Sequence, residues 1–519
     1  MDQQKPDYLF WRIVHHFVSL QSWRLVYQQG KEVWVENDTV KPIQLIRIVR
    51  EDYDWGNRLK EDHFETAKKM ELIRRQRGYK ELKAENIYIS HLPPVDDWSI
   101  IQKPIYVGKK KKTLLQASFI YMHEENNQYV IDNERPHSFL KEINDKLLTH
   151  TATEPYQLEE KILVLKHSIK QKVEKKANEE KGVFTYGKPI FTILFIILNA
   201  LIFLLVEWQG DSQSVLTLIE FGAKYNPLIL EGEWWRLLSS MFLHIGFLHV
   251  LMNSIALYFL GTLVERMFGS TRFLIIYFIS GFFGTLASLW MNISIGAGAS
   301  GAIFGLFGAI LYFGIIHKRL FIRTMGKNVL FILMINLAIG FFIPVVDMSA
   351  HVGGLIAGFF AAMLVQLPHQ KKSRVQLYSL MLLVLVLLSS YLMKDLLMQK
   401  EEHDYLEVQV AQEYINDEQH EQAELVLKRV LEKDTSVAEA YFLYGYLLAT
   451  KEDYLMAKQM FEQAVQLNRE LHSAYYNLSL IAEELNDMDE AIEMIQQALM
   501  IEPNNEQYQE RQEQLNESR

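Results

Sequence analysis

The 519-residue sequence predicts a mostly α-helical membrane protein. Three observations support this fold class. Residues from about 189 to 393 carry roughly seven apolar stretches, each near the ~20 residues that a spanning helix needs. Residues 401–519 are acidic and repeat at a fixed period, whereas residues 1–180 are mixed and charged. We therefore predict a soluble N-terminal domain with a helical stalk at 1–180, a polytopic membrane helical bundle at 181–400 and α-helical repeats at 401–519.

The N-terminal region has the pattern of a small α/β or α+β domain. Segments rich in Ile, Val and Tyr predict strands, and longer segments with helical periodicity predict helices. The predicted helices are Tyr8–Trp23 and Arg58–Tyr79, a hairpin covers Arg24–Glu36, strands cover 41–49, 86–90 and 114–122, and a charged helical stalk covers 139–180. We interpret the four lysines at 109–112 as a solvated turn.

Bulk composition excludes several classes of function. The formal net charge is −10 and no long basic tract stands alone, so we expect no nucleic-acid partner. The absence of cysteine excludes disulfides, thiol catalysis and thiolate metal sites. No apolar core with a cleavage site follows Met1, so we expect the internal spans to direct membrane insertion.

Basic residues in alternate loops predict the orientation of the spans. The spans lie near 189–207, 240–261, 272–291, 300–316, 328–346, 350–367 and 375–393. Lysine and arginine concentrate before the first span and in the loops after the second, fourth and sixth spans. We therefore expect a multi-pass protein of the cell membrane with a cytoplasmic N-terminus, and seven crossings place the C-terminal repeats outside the cytoplasm.

Two residues with complementary chemistry open two of these spans at the outer side. Ser300 lies in a Gly-rich run at the start of the fourth span, and His351 lies at the start of the sixth. A serine needs an adjacent base to become a nucleophile, and an imidazole can supply it. The free N–H groups at a helix start are suited to an oxyanion. This pairing predicts hydrolysis inside the membrane.

A second polar pair lies in the second span. His249 and Asn253 are one helical turn apart, so both side chains leave the helix on the same face. Both can donate to an oxyanion; the alternative is a polar clasp between helices. We assign His244 a loop or interface role rather than metal ligation. No His-Glu-x-x-His pattern occurs, and we expect neither a metal nor a cofactor.

These segments together resemble the rhomboid intramembrane serine proteases over about 189 to 367. The resemblance is carried by Glu233-Trp234-Trp235-Arg236, His249-x-x-x-Asn253, Glu265-Arg266, Gly298-x-Ser300-Gly301 and Ala350-His351-x-x-Gly354-x-x-x-Gly358. It implies a rhomboid-like six-helix core, here followed by a seventh span. It also implies that Ser300 is the nucleophile, that His351 is the base, and that His249 and Asn253 help to form the oxyanion hole. The family has no third, carboxylate member, and Asp347 is assigned no such role.

The resemblance also gives structural roles to the remaining motif residues. Trp235 and Arg236 would shape the first outer loop, and Glu265 with Arg266 would be structural. Small residues let helices approach closely. Gly298 and Gly301 would therefore leave room beside Ser300, and Gly354 and Gly358 would let the sixth helix approach the fourth. Many bacterial members have a tyrosine four residues after the serine, where this chain has Phe304; we expect the phenyl ring still to stack on the histidine.

The C-terminal region repeats with a period of 34 residues. Three series keep this step: Ala423, Ala457 and Ala491; Leu427, Phe461 and Ile495; Val430, Ala464 and Ala498. Small residues at this period resemble the tetratricopeptide repeat, with about three units. The alternative is an ordinary helical bundle with chance periodicity. Such stacks usually present a concave surface, so we expect a peptide or protein ligand.

The combined hypothesis is an intramembrane serine endopeptidase that cleaves transmembrane proteins in or near their membrane segment, in contact with membrane lipids. Two alternatives compete with it. One is a rhomboid-like, non-catalytic scaffold or adaptor that presents membrane proteins to other machinery. The other is a transporter with a peptide-binding tail, which would need ionisable residues along a path through several spans.

Overall fold

The computed structural model describes residues 4–40, 42–123, 128–132, 148, 155–343, 346–371, 373–394, 401–433 and 436–517. The chain forms two compact units, Met1–Gly182 and Val183–Arg519. The division into three domains stays a prediction, since the second unit contains both the membrane helices and the C-terminal repeats.

The first unit is built on a mixed sheet of seven strands in its described part. The strands are β1 Arg24–Gln29, β2 Glu32–Asn37, β3 Ile43–Arg50, β4 Leu82–Ile89, β5 Ile105–Val107, β6 Thr113–His123 and β7 Gln128–Asp132. Their order is β1-β2-β3-β4-β6-β5, with β7 also paired to β6; β4 is parallel to both β3 and β6, and the other pairs are antiparallel. The central strands are buried almost continuously, as expected for a sheet covered on both faces.

Helices and turns complete this unit. They are Gln4–His15, a π-helical turn at His16–Leu20, Gly56–Gln76, short 3₁₀ turns at Ser99–Gln102 and Lys109–Lys111, and Pro155–Val183. The sequence analysis identified the hairpin and the three longer strands but missed β5 and β7. Lys110 and Lys111 are exposed, as predicted for a solvated turn. Lys41 and most of residues 133–154, which include the start of the predicted stalk, lie outside the described residues.

Apolar helices that form the membrane part of the chain follow in the second unit. Six helices in the described part are long and apolar enough to cross a membrane, and a shorter apolar helix lies among them. In chain order they are Ile190–Gln209, Gly246–Phe268, Ser270–Met291, the shorter Ser300–Ile316, Lys318–Phe342, Met348–Val365 and Arg374–Leu392. The fifth helix contains a π-helical turn at Ile322–Gly326. Six of the seven predicted spans thus correspond to helices of sufficient length, and the fourth corresponds to the shorter helix Ser300–Ile316, so a seventh crossing stays a prediction.

The fourth membrane helix is the centre of this bundle. Residues 301–310 are all buried, and the side chains of all but the three glycines belong to an apolar cluster with side chains of the second, third and sixth helices. A helix that is apolar all round is expected to be enclosed by others. The start of this helix, where Ser300 lies, is therefore held by its neighbours.

Two motif segments stabilise the ends of the bundle. The Arg236 guanidinium donates to the carbonyl oxygens of Ile219 (2.6 Å) and Ala223 (3.3 Å), which folds the loop between the first and second helices. This loop contains short helices at Val215–Glu220, Asn226–Leu230 and Arg236–Ser239. At the other end, the Glu265 carboxylate accepts from the backbone N–H groups of Ile190 (3.1 Å) and Thr192 (2.9 Å) and so caps the first membrane helix.

The C-terminal tail is a stack of helical hairpins. Its described helices are Glu401–Asn416, His420–Leu431, Ala438–Thr450, Tyr454–Leu467, His472–Glu484, Met488–Ile501 and Glu506–Glu517. Every member of the three 34-residue series is completely buried. The repeat prediction is confirmed, because the period places the same small or apolar side chain between the helices of each successive hairpin.

Candidate active site

The fourth and sixth membrane helices pack backbone against backbone. A Cβ atom at Gly354 would overlap the carbonyl oxygen of Gly301, and one at Gly358 would overlap that of Gly305. A Cβ atom at Gly301 would lie 3.4 Å from the carbonyl oxygen of Ala350. Glycine is therefore required along this contact, and the contact brings the starts of the two helices together.

Ser300 and His351 lie at this junction. Ser300 is the first residue of the fourth helix and is half-buried; His351, in the first turn of the sixth helix, is buried and follows Ala350, which contacts Gly301. Phe304, one turn after Ser300, stacks on the His351 ring with the ring centroids 4.1 Å apart and the planes at 12°. The expected stacking of the phenyl ring is thus present. It connects the helix of the serine to the imidazole of the histidine.

The carboxylate of Asp347 is engaged in capping the sixth helix. It accepts hydrogen bonds from the backbone N–H of Ala350 (3.0 Å) and from the hydroxyls of Ser288 and Ser349. Burial raises the pKa of Asp347, but these hydrogen bonds outweigh it and the pKa is lowered on balance. Within the described part of the chain, the buried Nδ1 of His351 has no hydrogen-bond partner, so Asp347 does not orient the ring through that atom.

His249 and Asn253 face the segment that leads into Ser300. A Cβ atom at Gly298 would lie 3.0 Å from His249 Nε2 and 3.5 Å from Asn253 Nδ2, and the φ of Gly298 is +138°, so both space and backbone conformation require glycine there. The Nδ1 atom of His249 accepts from the Ile245 N–H at 3.4 Å, which leaves the proton of the neutral ring on Nε2.

The amide of Asn253 is free to donate. Asn253 is only 8% exposed, and its Nδ2 is buried with no hydrogen-bond partner among the described residues. A buried donor without a partner is costly and suggests a ligand that supplies the acceptor. His249 and Asn253 thus present two N–H donors beside the backbone of Ser300, which is an arrangement suited to stabilising an oxyanion.

Lys224 is a further residue of this site, and the sequence analysis missed it. Its side chain is 1% exposed, and its Nζ donates to the carbonyl oxygens of Asn292 and Ser294 (2.9 Å). Its backbone pairs with Gly296 through N–H···O bonds of 2.8 and 3.0 Å. Burial lowers the pKa of Lys224 to about 7, an effect that the Asp347 carboxylate opposes.

Lys224 and Ser300 line the same cavity. Its volume is about 40 Å³, and Gly298, Ser288 and Asp347 also line it. The cavity is small for a ligand-binding site, for which several hundred cubic ångströms is a usual lower value. It is therefore a space beside the serine hydroxyl that can hold part of a substrate chain or a few water molecules.

His244 also belongs to the framework of the site. It is buried, its Nε2 accepts from the Ala299 N–H at 3.5 Å, and its ring meets that of His249 edge-on with centroids 5.2 Å apart. Burial lowers the pKa of His244 to about 3, so the ring is neutral near pH 7. This position agrees with the loop or interface role predicted for it.

Comparison with known proteins gives matches over both parts of the second unit. The Rhomboid domain family matches residues 231–392, and the family of the tetratricopeptide repeat protein 21 C-terminal ARM domain matches residues 360–518. The solved first TPR of Spaghetti (RPAP3), bound to an HSP90 peptide, is 16% identical over 23% of this chain and 94% of that chain, with a TM-score of 0.22.

Curated relatives extend the similarity to nearly the whole chain. Rhomboid protease GluP of Bacillus subtilis (strain 168) is 35% identical over 482 residues, which are 92% of each chain. Putative rhomboid protease YdcA of the same organism is 33% identical over 188 residues, which are 36% of this chain and 92% of the relative. RHOMBOID-like protein 5 of Arabidopsis thaliana is 42% identical over 152 residues, which are 28% of this chain and 49% of the relative. This chain is therefore a multi-pass membrane protein of the rhomboid protease family, with a tetratricopeptide-like C-terminal tail.

Proposed function

We propose that this protein is an intramembrane serine endopeptidase that cleaves transmembrane proteins in or near their membrane segment by a Ser300–His351 dyad. The observation that carries the proposal is the backbone contact of the fourth and sixth helices, together with the stacking of Phe304 on His351, which supports a pairing of Ser300 with His351. A relative named as a rhomboid protease, 35% identical over 92% of the chain, supports it.

The proposed reaction is acyl transfer to the serine followed by hydrolysis. His351 takes the proton of the Ser300 hydroxyl as its oxygen bonds to the carbonyl carbon of the scissile peptide. The negative oxygen of the tetrahedral intermediate accepts hydrogen bonds from His249 Nε2, Asn253 Nδ2 and the backbone N–H of Ser300. The C–N bond then breaks, and His351 gives its proton to the leaving amine. Water attacks the acyl-serine ester by the same steps and releases the acid.

The proposed orientation places this chemistry and the tail on the same side of the cell membrane. The basic loops favour a cytoplasmic N-terminus, with the starts of the fourth and sixth helices at the outer face. The first tail helix contacts the loop between the first and second membrane helices, and this loop pairs with the segment before Ser300. These contacts support tail repeats outside the cytoplasm, where we propose that they bind a peptide or protein.

A fluorophosphonate probe tests the proposed function directly. The full-length protein in detergent is expected to form a covalent adduct on Ser300, located by peptide mass spectrometry, and to cleave a transmembrane model substrate. Prior reaction with the probe should block that cleavage. A protein that binds the substrate but neither labels nor cleaves would contradict the proposal and favour the non-catalytic scaffold.

Asn253→Ala is expected to reduce kcat by about 10²-fold, because one oxyanion donor contributes about 3 kcal/mol to the transition state. The measurement is the rate of cleavage at saturating substrate, compared with Asn336→Ala. Asn336 is an exposed residue of the fifth membrane helix, and its amide donates to the Ile332 carbonyl of the same helix at 2.8 Å. Equal rates for the two variants would show that Asn253 is a polar clasp between helices rather than an oxyanion donor.

A further inference from the structure

The first tail helix, Glu401–Asn416, has two apolar faces with different partners. Val408, Ala411 and Ile415 pack inside the first repeat. Leu406, Val410 and Tyr414, spaced by four residues, pack against the membrane part of the chain, and Tyr414 also borders the cluster of the first repeat. A free helix of a repeat stack needs only the first face, because its other side would meet solvent. The second face therefore exists for the contact with the membrane part.

The partner of this second face is the loop 214–233, which is part of the connection between the first and second membrane helices. Val410, 2% exposed, lies in one apolar cluster with Leu216, Ile219 and Tyr225, each at most 5% exposed. Full burial of one such side chain contributes on the order of 1.5–3 kcal/mol. Burial of these side chains therefore makes the contact between the tail helix and the loop stable.

Polar pairs surround the apolar contact. Asn226 Nδ2 lies 3.2 Å from His403 Nε2, and both residues are buried. Arg429 Nε lies 2.9 Å from Glu231 Oε1 at the edge, with both side chains about one-third exposed. A pair as exposed as the second contributes little free energy but fixes the orientation of the two surfaces. Apolar burial therefore supplies the strength of the contact, and the polar pairs supply its register.

The same loop reaches the segment that leads into the nucleophile. Lys224 precedes Tyr225 of the apolar cluster, and it holds residues 292–296 through its amine and its backbone. Ile295 of that segment packs in the cluster with Val410. Gly298, which faces His249 and Asn253, follows three residues later. An unbroken series of contacts thus runs from the tail helix to the backbone beside Ser300.

We propose that the first tail helix is a positioning element of the active site. It clamps the loop 214–233 onto the segment 292–299 and so fixes the backbone from which Ser300 and the oxyanion site are built. This inference rests on the proposed protease function. Opening the clamp displaces the nucleophile segment and slows the chemical step, although no tail residue touches the substrate at the scissile bond.

Val410→Asp tests the clamp, because it places a charge in the buried cluster while leaving the face that packs inside the repeat unchanged. The matched control is Leu455→Asp in the second repeat, where Leu455 is 68% exposed. We expect kcat to fall about tenfold for Val410→Asp, with a similar fall in the rate of fluorophosphonate labelling, and KM to stay within about twofold. Leu455→Asp should have the same kcat, KM and labelling rate as the parent chain.

Cross-linking provides a readout that does not depend on activity. Because the chain has no cysteine, the pair Glu231→Cys and Arg429→Cys can be joined specifically with a short bis-maleimide. The cross-link should form within one chain in the parent background and form much more slowly with Val410→Asp. Cross-linked Val410→Asp should regain most of the parent rate, which a merely unfolded tail would not permit.

The outcomes separate this inference from the proposed function. Suppose that the parent chain labels and cleaves, and that the Val410→Asp variant is no longer cross-linked but is fully active. This result overturns the clamp and leaves the proposed protease function standing. Failure of the cross-link in the parent background also overturns it. A parent chain that neither labels nor cleaves overturns both proposals.

Discussion

Ser300→Ala is expected to reduce cleavage of a transmembrane substrate by about 10⁴-fold or more, because the covalent route is lost when the nucleophile is removed. His351→Ala should cause a loss of similar size, and the double variant should lose little more, since the two residues act as a unit. The measurement is product formed over hours in detergent or in reconstituted membranes, by gel and mass spectrometry.

A matched serine separates this effect from general damage to the bundle. Ser389 lies on the seventh membrane helix, and its exposed hydroxyl donates to the Val386 carbonyl of the same helix at 2.9 Å. Ser389→Ala should cleave at the parent rate, and Ser300→Ala should keep the parent melting temperature. Cleavage by Ser300→Ala at more than about one-hundredth of the parent rate would refute the dyad assignment.

Gly358→Ala is expected to have the second largest effect, this time on stability. A methyl group there would overlap the backbone of Gly305, and backbone cannot move aside as a flexible side chain can. Overpacking of a tight contact costs about 1–3 kcal/mol, and we expect about 3 kcal/mol because both helices must separate. Separation at Gly358 also moves His351 away from Ser300, so activity should fall together with the melting temperature.

Gly182→Ala is the control for this substitution. Gly182 lies in the helix Pro155–Val183, and a Cβ atom there would meet no described residue within 4 Å. Alanine is a better helix former than glycine, so this variant should be neutral or slightly stabilising. A Gly358→Ala variant with the parent melting temperature and the parent rate would show that the fourth and sixth helices are not in backbone contact.

The membrane helices could be predicted from sequence because lipid requires every span to be long and apolar. The boundaries were less accurate. The second span was predicted at 240–261, whereas the helix is Gly246–Phe268. It begins later because residues 240–242 form a 3₁₀ turn. It ends later because its last turns carry Glu265, whose carboxylate accepts from the N–H of Thr192 at the start of the first membrane helix. A prediction of span ends from apolar residues alone cannot include a charged residue that caps another helix.

The polar residues of the site could be proposed from sequence only where they lie on the helices. Ser300, His351, His249 and Asn253 all carry polar groups on otherwise apolar segments, and these groups mark them out. Lys224 does not stand out in this way, since it is a basic residue in a polar loop whose charged residues are mostly acidic. Its burial depends on carbonyl groups about 70 residues away, and only the tertiary structure brings these together.

The same limit applies to the tail and to the N-terminal sheet. The 34-residue series identified the inner face of each repeat, but the second stripe on Glu401–Asn416 does not indicate its partner. In the sheet, β5 has only three residues, and β7 depends on pairing with β6 at an edge. Elements defined by their neighbours rather than by their own pattern are the ones that a sequence does not reveal.

The length of the fourth membrane helix has a consequence for how a substrate arrives. Its 17 residues span about 26 Å at 1.5 Å per residue, less than the ~30 Å of hydrocarbon in a typical bilayer. A helix this short cannot reach both headgroup layers unless the lipid thins around it. In the proposed orientation, with its far end at the cytoplasmic boundary, the Ser300 hydroxyl lies a few ångströms below the outer acyl surface. In the proposed protease, water must then reach this depth from the outer face, and a substrate helix must unwind locally to offer a peptide bond there.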